Sequence, residues 1–206
     1  MLQRVGTERG RRKEDEWFVA VDWEASALAP AQAKAPARFV LLGDGGGLGG
    51  RVRDALEREG HSVLHAVVGP VKGHRHGAAP RSRDVDDASA SALRALMTDA
   101  FDGAPPSAVV HLRSLEEDGT DPSDAVEGAL RRGCDSVLRT VQAMTSMGWR
   151  DAPRLWIVTR GAQAVGRGDS VSFLQAPVLG LGRVIAIEHQ ELACTRVDLD
   201  PAARGD

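Results

Sequence analysis

From Phe39 to Leu199, short apolar runs alternate with stretches whose apolar residues recur every three or four positions. The runs are Phe39–Leu42, Ser62–Val68, Ala108–Leu112, Arg154–Thr159 and Cys194–Leu199. Between them, Leu48–Glu59, Asp86–Phe101, Asp121–Met147 and Pro177–His189 have the period of helices. A strand covered on both faces is apolar throughout, and parallel strands need long crossovers, usually helical. The alternation therefore predicts an α/β fold: a Rossmann-like, mostly parallel sheet with helices on both faces.

Local signals sharpen the helices. Leu48, Val52 and Leu56 share one side of the first, and Gly60 stands just past its end. Leu93, Leu96, Met97 and Phe101 point inward from the second. Asp121 is placed to cap the third, Pro122 suits its first position, and Asp124 favours the positive end of its dipole. Val126, Leu130, Cys134, Val137, Val141 and Met144 then form a single apolar face on one long helix.

Flanking segments read differently. Residues 1–16 mix both charge signs with little apolar content and suit a charged tail or linker, leaving 17–206 as the folded domain. Trp17–Trp23 fits an opening strand, Leu28–Ala37 an extended Ala/Pro connector, and Gly69–Arg83 an exposed basic loop.

Composition removes whole classes of function. The chain has no tyrosine, so by itself it runs no mechanism that needs a phenol as acid, nucleophile or oxyanion donor. A formal charge of −3 gives no general attraction to nucleic acid or to anionic membranes. Two cysteines make neither a disulfide framework nor a metal motif, which suits a reducing cytoplasm. No apolar run has membrane-spanning length, and the N-terminus is charged rather than signal-like.

The glycine cluster Gly43–Gly50 lies between a strand and a helix, and Gly45, Gly47 and Gly50 satisfy G-x-G-x-x-G there. One reading is a cofactor turn, with backbone amides and a helix N-terminus facing a pyrophosphate. The other is a structural remnant of a nucleotide fold. Asp44 inside the turn opposes a pyrophosphate, and no acidic residue between Glu59 and Asp84 is available for ribose hydroxyls. Lys72, His74, Arg75 and His76 are either partners for an NADP 2′-phosphate or a solvated basic loop.

Other candidates favour structure over chemistry. His74 and His76 have no nearby ligand to complete a metal set. His111, within an apolar run, reads as a hydrogen-bonded core histidine, and His189 as a helix-end charge. Glu116, Glu117 and Asp118 suit a solvated loop, and Trp23, Trp149 and Trp156 suit core or interface packing. No catalytic or metal residue is assigned.

Taken together, LWIVTRGAQAV (155–165), QAPVLGLGRVIAIEHQEL (175–192) and VDLDP (197–201) resemble the ketoreductase region of bacterial modular type I polyketide synthases, in its N-terminal structural subdomain. AVVHLRSLEE (108–117), FVLLGDGGGLGGRVRDALEREGHSV (39–63) and FVAVDW (18–23) resemble the same subdomain. Arg113 stands where the family usually has tryptophan, and Gln190 where it has proline; both suit a surface or a helix end. The resemblance implies a truncated Rossmann-like fold whose glycine turn holds no cofactor. The NADPH loop and the Ser-Tyr-Lys catalytic set belong to a second, catalytic half, which this chain stops short of at Asp206. Implied partners are that catalytic subdomain, neighbouring synthase domains and an acyl carrier protein bearing a β-ketoacyl chain. Two alternatives stay open: a self-contained protein binding NADP or another phosphate ligand, and an interaction platform in a synthase whose ketoreductase is inactive.

Overall fold

The computed structural model describes residues 2–4, 19–21, 23–28, 35–43, 47–68, 82–85, 89–116, 122–166 and 168–202. They fall into two units, Met1–Ala33 with Ala164–Asp169, and Lys34–Gln163 with Ser170–Asp206. In the smaller unit, β1 (Leu2–Arg4) pairs antiparallel with β2 (Val19–Val21), Leu2 opposite Val21. So the strand expected over Trp17–Trp23 is shorter, and its partner comes from the stretch read as a charged tail. Trp23–Leu28 is exposed and irregular.

In the larger unit, β3 (Arg38–Leu42), β4 (Ser62–Val68), β5 (Ser82–Val85), β6 (Ala108–His111), β7 (Arg154–Arg160) and β8 (Thr195–Leu199) form one sheet. Its order is β5-β4-β3-β6-β7-β8, and every neighbouring pair is parallel. Val40, Leu41 and Leu42 are all fully buried, because successive side chains point to opposite, covered faces. On one face, Leu48, Val52 and Leu56 of α1 (Leu48–Arg58) pack on Leu41, Val63, Leu112 and Val158. On the other, α2 (Ala90–Asp99), α4 (Ser136–Ser146) and α5 (Ala176–Glu188) cover Val40, Leu42, Val109, Leu155 and Ile157. The α/β, Rossmann-like expectation holds.

Two elements differ from expectation. Ser82–Val85 forms the edge strand β5, in register with His65–Val68, and its first two residues fall in the stretch that the sequence suggests as a loop. An edge strand bonds to one neighbour and keeps one side in water, so it needs no apolar alternation. The rest of the proposed loop, 69–81, lies outside the described residues, with Lys72, His74, Arg75 and His76.

The long helix expected over Asp121–Met147 is divided. α3 (Pro122–Leu130) gives way to a π turn at Arg131–Asp135, and only then does α4 begin. Val137, Val141 and Met144 are buried as expected, but Val126 is 49% exposed and Leu130 is 42% exposed. A π turn holds one extra residue, so it rotates the α3 side chains relative to those of α4. An α-helical wheel drawn across the junction therefore groups residues that the molecule separates. The capping residue Asp121 lies outside the described residues. Ser89, by contrast, caps α2 by accepting from the Ala92 amide at 3.2 Å.

Candidate functional site

In an open parallel sheet, ligands bind beyond the carboxyl ends of the strands, where the strand order reverses. That point lies here between β3 and β6. Gly43 follows β3 and donates its amide to the Ala66 carbonyl at 3.1 Å, while the Leu112 amide donates to the Leu42 carbonyl at 2.7 Å. The two strands approach so closely that a Cβ on Gly43 would lie 2.6 Å from Leu112 Cβ and 3.1 Å from its carbonyl carbon. Leu112 itself is 1% exposed and belongs to the core under α1. Gly43→Ala is expected to cost about 1–3 kcal/mol, because backbone cannot yield as a flexible side chain does. Urea denaturation measures it.

The glycine fingerprint is partly in view. Gly47 stands at the N-cap of α1 with φ 62°, a left-handed conformation, and no side chain caps the helix. Gly50 is the position at which such a fingerprint requires glycine for close helix–strand packing. A Cβ there would meet nothing within 4 Å. The steric reason for the third glycine is therefore missing. Gly45 and Asp44 lie outside the described residues.

Below the end of β6 lies a buried polar cluster. His111 is fully buried, and its Nε2 is 2.9 Å from Ser136 Oγ at the start of α4. Arg113 Nη1 donates to the same oxygen at 3.0 Å, and Arg113 Nε is 3.6 Å from Glu116 Oε2. Burial, and then the charge of Arg113, lower the His111 pKa to about 3, so the ring is neutral at ordinary pH. Arg113 is 8% exposed. It is thus a core residue, bonded to Ser136 and ion-paired with Glu116, contrary to the surface or helix-end position that its sequence suggests. Glu116, expected in a solvated loop, pairs with Arg113, and its carbonyl accepts from Arg132 Nε at 3.1 Å.

The end of β7 is filled from β8 and α5. Asp198 accepts from Thr159 Oγ1 at 2.8 Å, the Ala162 amide at 3.0 Å and the Gln163 amide at 3.0 Å. Gln175 Oε1 accepts from the Arg160 amide at 2.8 Å. Asp198 and Gln175 lie in stretches that carry the family resemblance, but sequence alone assigns neither a role; the topology brings them to this loop. The Asp198 carboxylate and the Gln175 amide oxygen are thus occupied by groups of the protein itself.

The remaining candidates are dispersed. His189 pairs with Glu191 at 3.1 Å at the end of α5, and Gln190 begins a short 3-10 turn there. Trp149 packs against the core, Trp156 lies under Arg154 at 5.5 Å, and Trp23 is 47% exposed. Cys134 and Cys194 are half-buried free thiols, both pushed up by burial. Among the described residues no three His, Cys, Asp or Glu gather as metal ligands, and no helix is long and apolar enough to cross a membrane. Glu117 and Asp118 lie outside the described residues.

Comparison with known proteins agrees with this fold. The chain is 31% identical over 189 residues to a phenolphthiocerol/phthiocerol polyketide synthase of Mycobacterium tuberculosis, covering 90% of this chain and 8% of that protein. It is 33% identical over 194 residues to the pikromycin polyketide synthase component PikAII of Streptomyces venezuelae, covering 90% and 5%. The chain thus spans less than a tenth of the length of these relatives. Among solved structures, a C2-type ketoreductase from a modular polyketide synthase superposes with TM-score 0.57 at 28% identity, over 89% of this chain and 35% of that one. A UDP-glucose 4-epimerase from Brucella ovis shares the fold alone, with TM-score 0.54 at 14% identity over 80% of this chain and 51% of that one. The matching family model, described as the Rossmann fold domain of polyketide synthase extender module SpnB, covers residues 21–206. The chain belongs to this family of polyketide synthase Rossmann domains and corresponds to the N-terminal subdomain of a ketoreductase region.

Proposed function

We propose that this chain is the noncatalytic structural subdomain of a polyketide synthase ketoreductase. It packs against a catalytic half and stabilises it, and that half reduces a carrier-bound β-ketoacyl chain with NADPH. One observation carries the reading: α5 exposes large apolar side chains on its outward side, beside Arg183 and Glu188, as well as burying others on its inward side. Val178, Leu179 and Ile185 are buried, yet Val184 is 46% exposed and Ile187 is 72% exposed. Exposed apolar residues grouped on one helix mark an interface.

The covering surface has a source. This chain accounts for 35% of the matched ketoreductase polypeptide, so the larger part of such a protein is available to supply it. The Asp198 carboxylate, taken up by Thr159, Ala162 and Gln163, and Gly50, with no close neighbour to require a glycine, fit a half that holds no cofactor, leaving NADPH to the other. Neighbouring synthase domains and the acyl carrier protein are the further partners of this reading, and the cytoplasm its compartment.

Mixing the chain with the catalytic half of a cognate ketoreductase is expected to raise the melting temperature above that of either part. Val184→Glu with Ile187→Glu is expected to abolish that rise and leave the melting temperature of the chain alone nearly unchanged, since both positions face water in it. Unchanged melting of the mixture would reject the packing role. Micromolar NADPH binding by the isolated chain, lost on a bulky substitution at Gly47, would favour the cofactor-turn reading instead.

A further inference from the structure

We draw no further inference here: the strongest candidate, the pair of exposed apolar side chains Val171 and Phe173 on the loop between β7 and α5, carries none because nothing in the structure shows what covers it.

Discussion

Acidification from pH 7 to pH 5 is expected to lower the stability of the folded chain by about 2 kcal/mol through His111 alone. In the unfolded chain the imidazole takes up a proton near its ordinary value of 6.5; in the folded one it does so only near 3. Between those values the unfolded state binds the extra proton and gains from it. The stability is therefore complete above pH 6.5 and drains away as the pH falls towards 3, where the loss reaches about 4 kcal/mol.

The cause lies in the packing. A charged ring at position 111 would have no water around it, and it would share Ser136 Oγ with the cationic Arg113. For a chain of this size the loss at pH 5 lowers the melting temperature by roughly 4–8 °C. His111→Asn keeps a polar group that can bond to Ser136 and removes the titration. Thermal melts of both proteins at pH 7 and pH 5 measure the difference; equal slopes would show that His111 is not the titrating group.

Asp198→Ala is expected to cost about 3 kcal/mol, a figure discounted from three charge-assisted bonds because the carboxylate is only partly buried. Those bonds come from Thr159, Ala162 and Gln163 and tie the end of β7 to β8. With the carboxylate gone, the hydroxyl of Thr159, a fully buried residue, keeps only a long contact of 3.5 Å to the Val197 carbonyl. Asp198→Asn retains acceptor capacity and should cost about 1 kcal/mol. Urea denaturation gives the magnitudes, and faster hydrogen exchange at the Ala162 and Gln163 amides would localise the effect. A loss below about 1 kcal/mol for the alanine variant would mean that water replaces the carboxylate, and that the loop is not held by it.

Much of the fold is legible because burial on both faces leaves a mark on sequence. Phe39–Leu42, Ala108–Leu112 and Arg154–Thr159 are apolar enough to be strands, and each is one to within a residue at its ends. The edge strand β5 left no such mark, since three of its four residues, Ser82, Arg83 and Asp84, are polar. The split helix was hidden for a different reason. The spacing from Val126 to Met144 fits an unbroken α-helix, and nothing in it records that a turn with an extra residue intervenes. Arg113 misleads in the same way, because an arginine reads as exposed unless its partners are known. Ser136, which accepts from it, is 23 positions away.

The candidate site divides along the same line. Sequence placed the glycine turn between a strand and a helix and showed what it lacks: an acidic residue after the next strand and, throughout the chain, a tyrosine. These are questions of residue type and order, which the chain carries wherever it goes. What fills the carboxyl end of the sheet, and which apolar residues stay uncovered, depends on atoms brought together from distant positions. Asp198 meets Thr159 across 39 positions, and Val126 faces outward because of a turn five residues further on. The sequence by itself determined an α/β chain of this family with no phenol to catalyse reduction. Only the tertiary structure decided which surfaces remain open to a partner, because exposure belongs to the packed molecule and no single residue carries it.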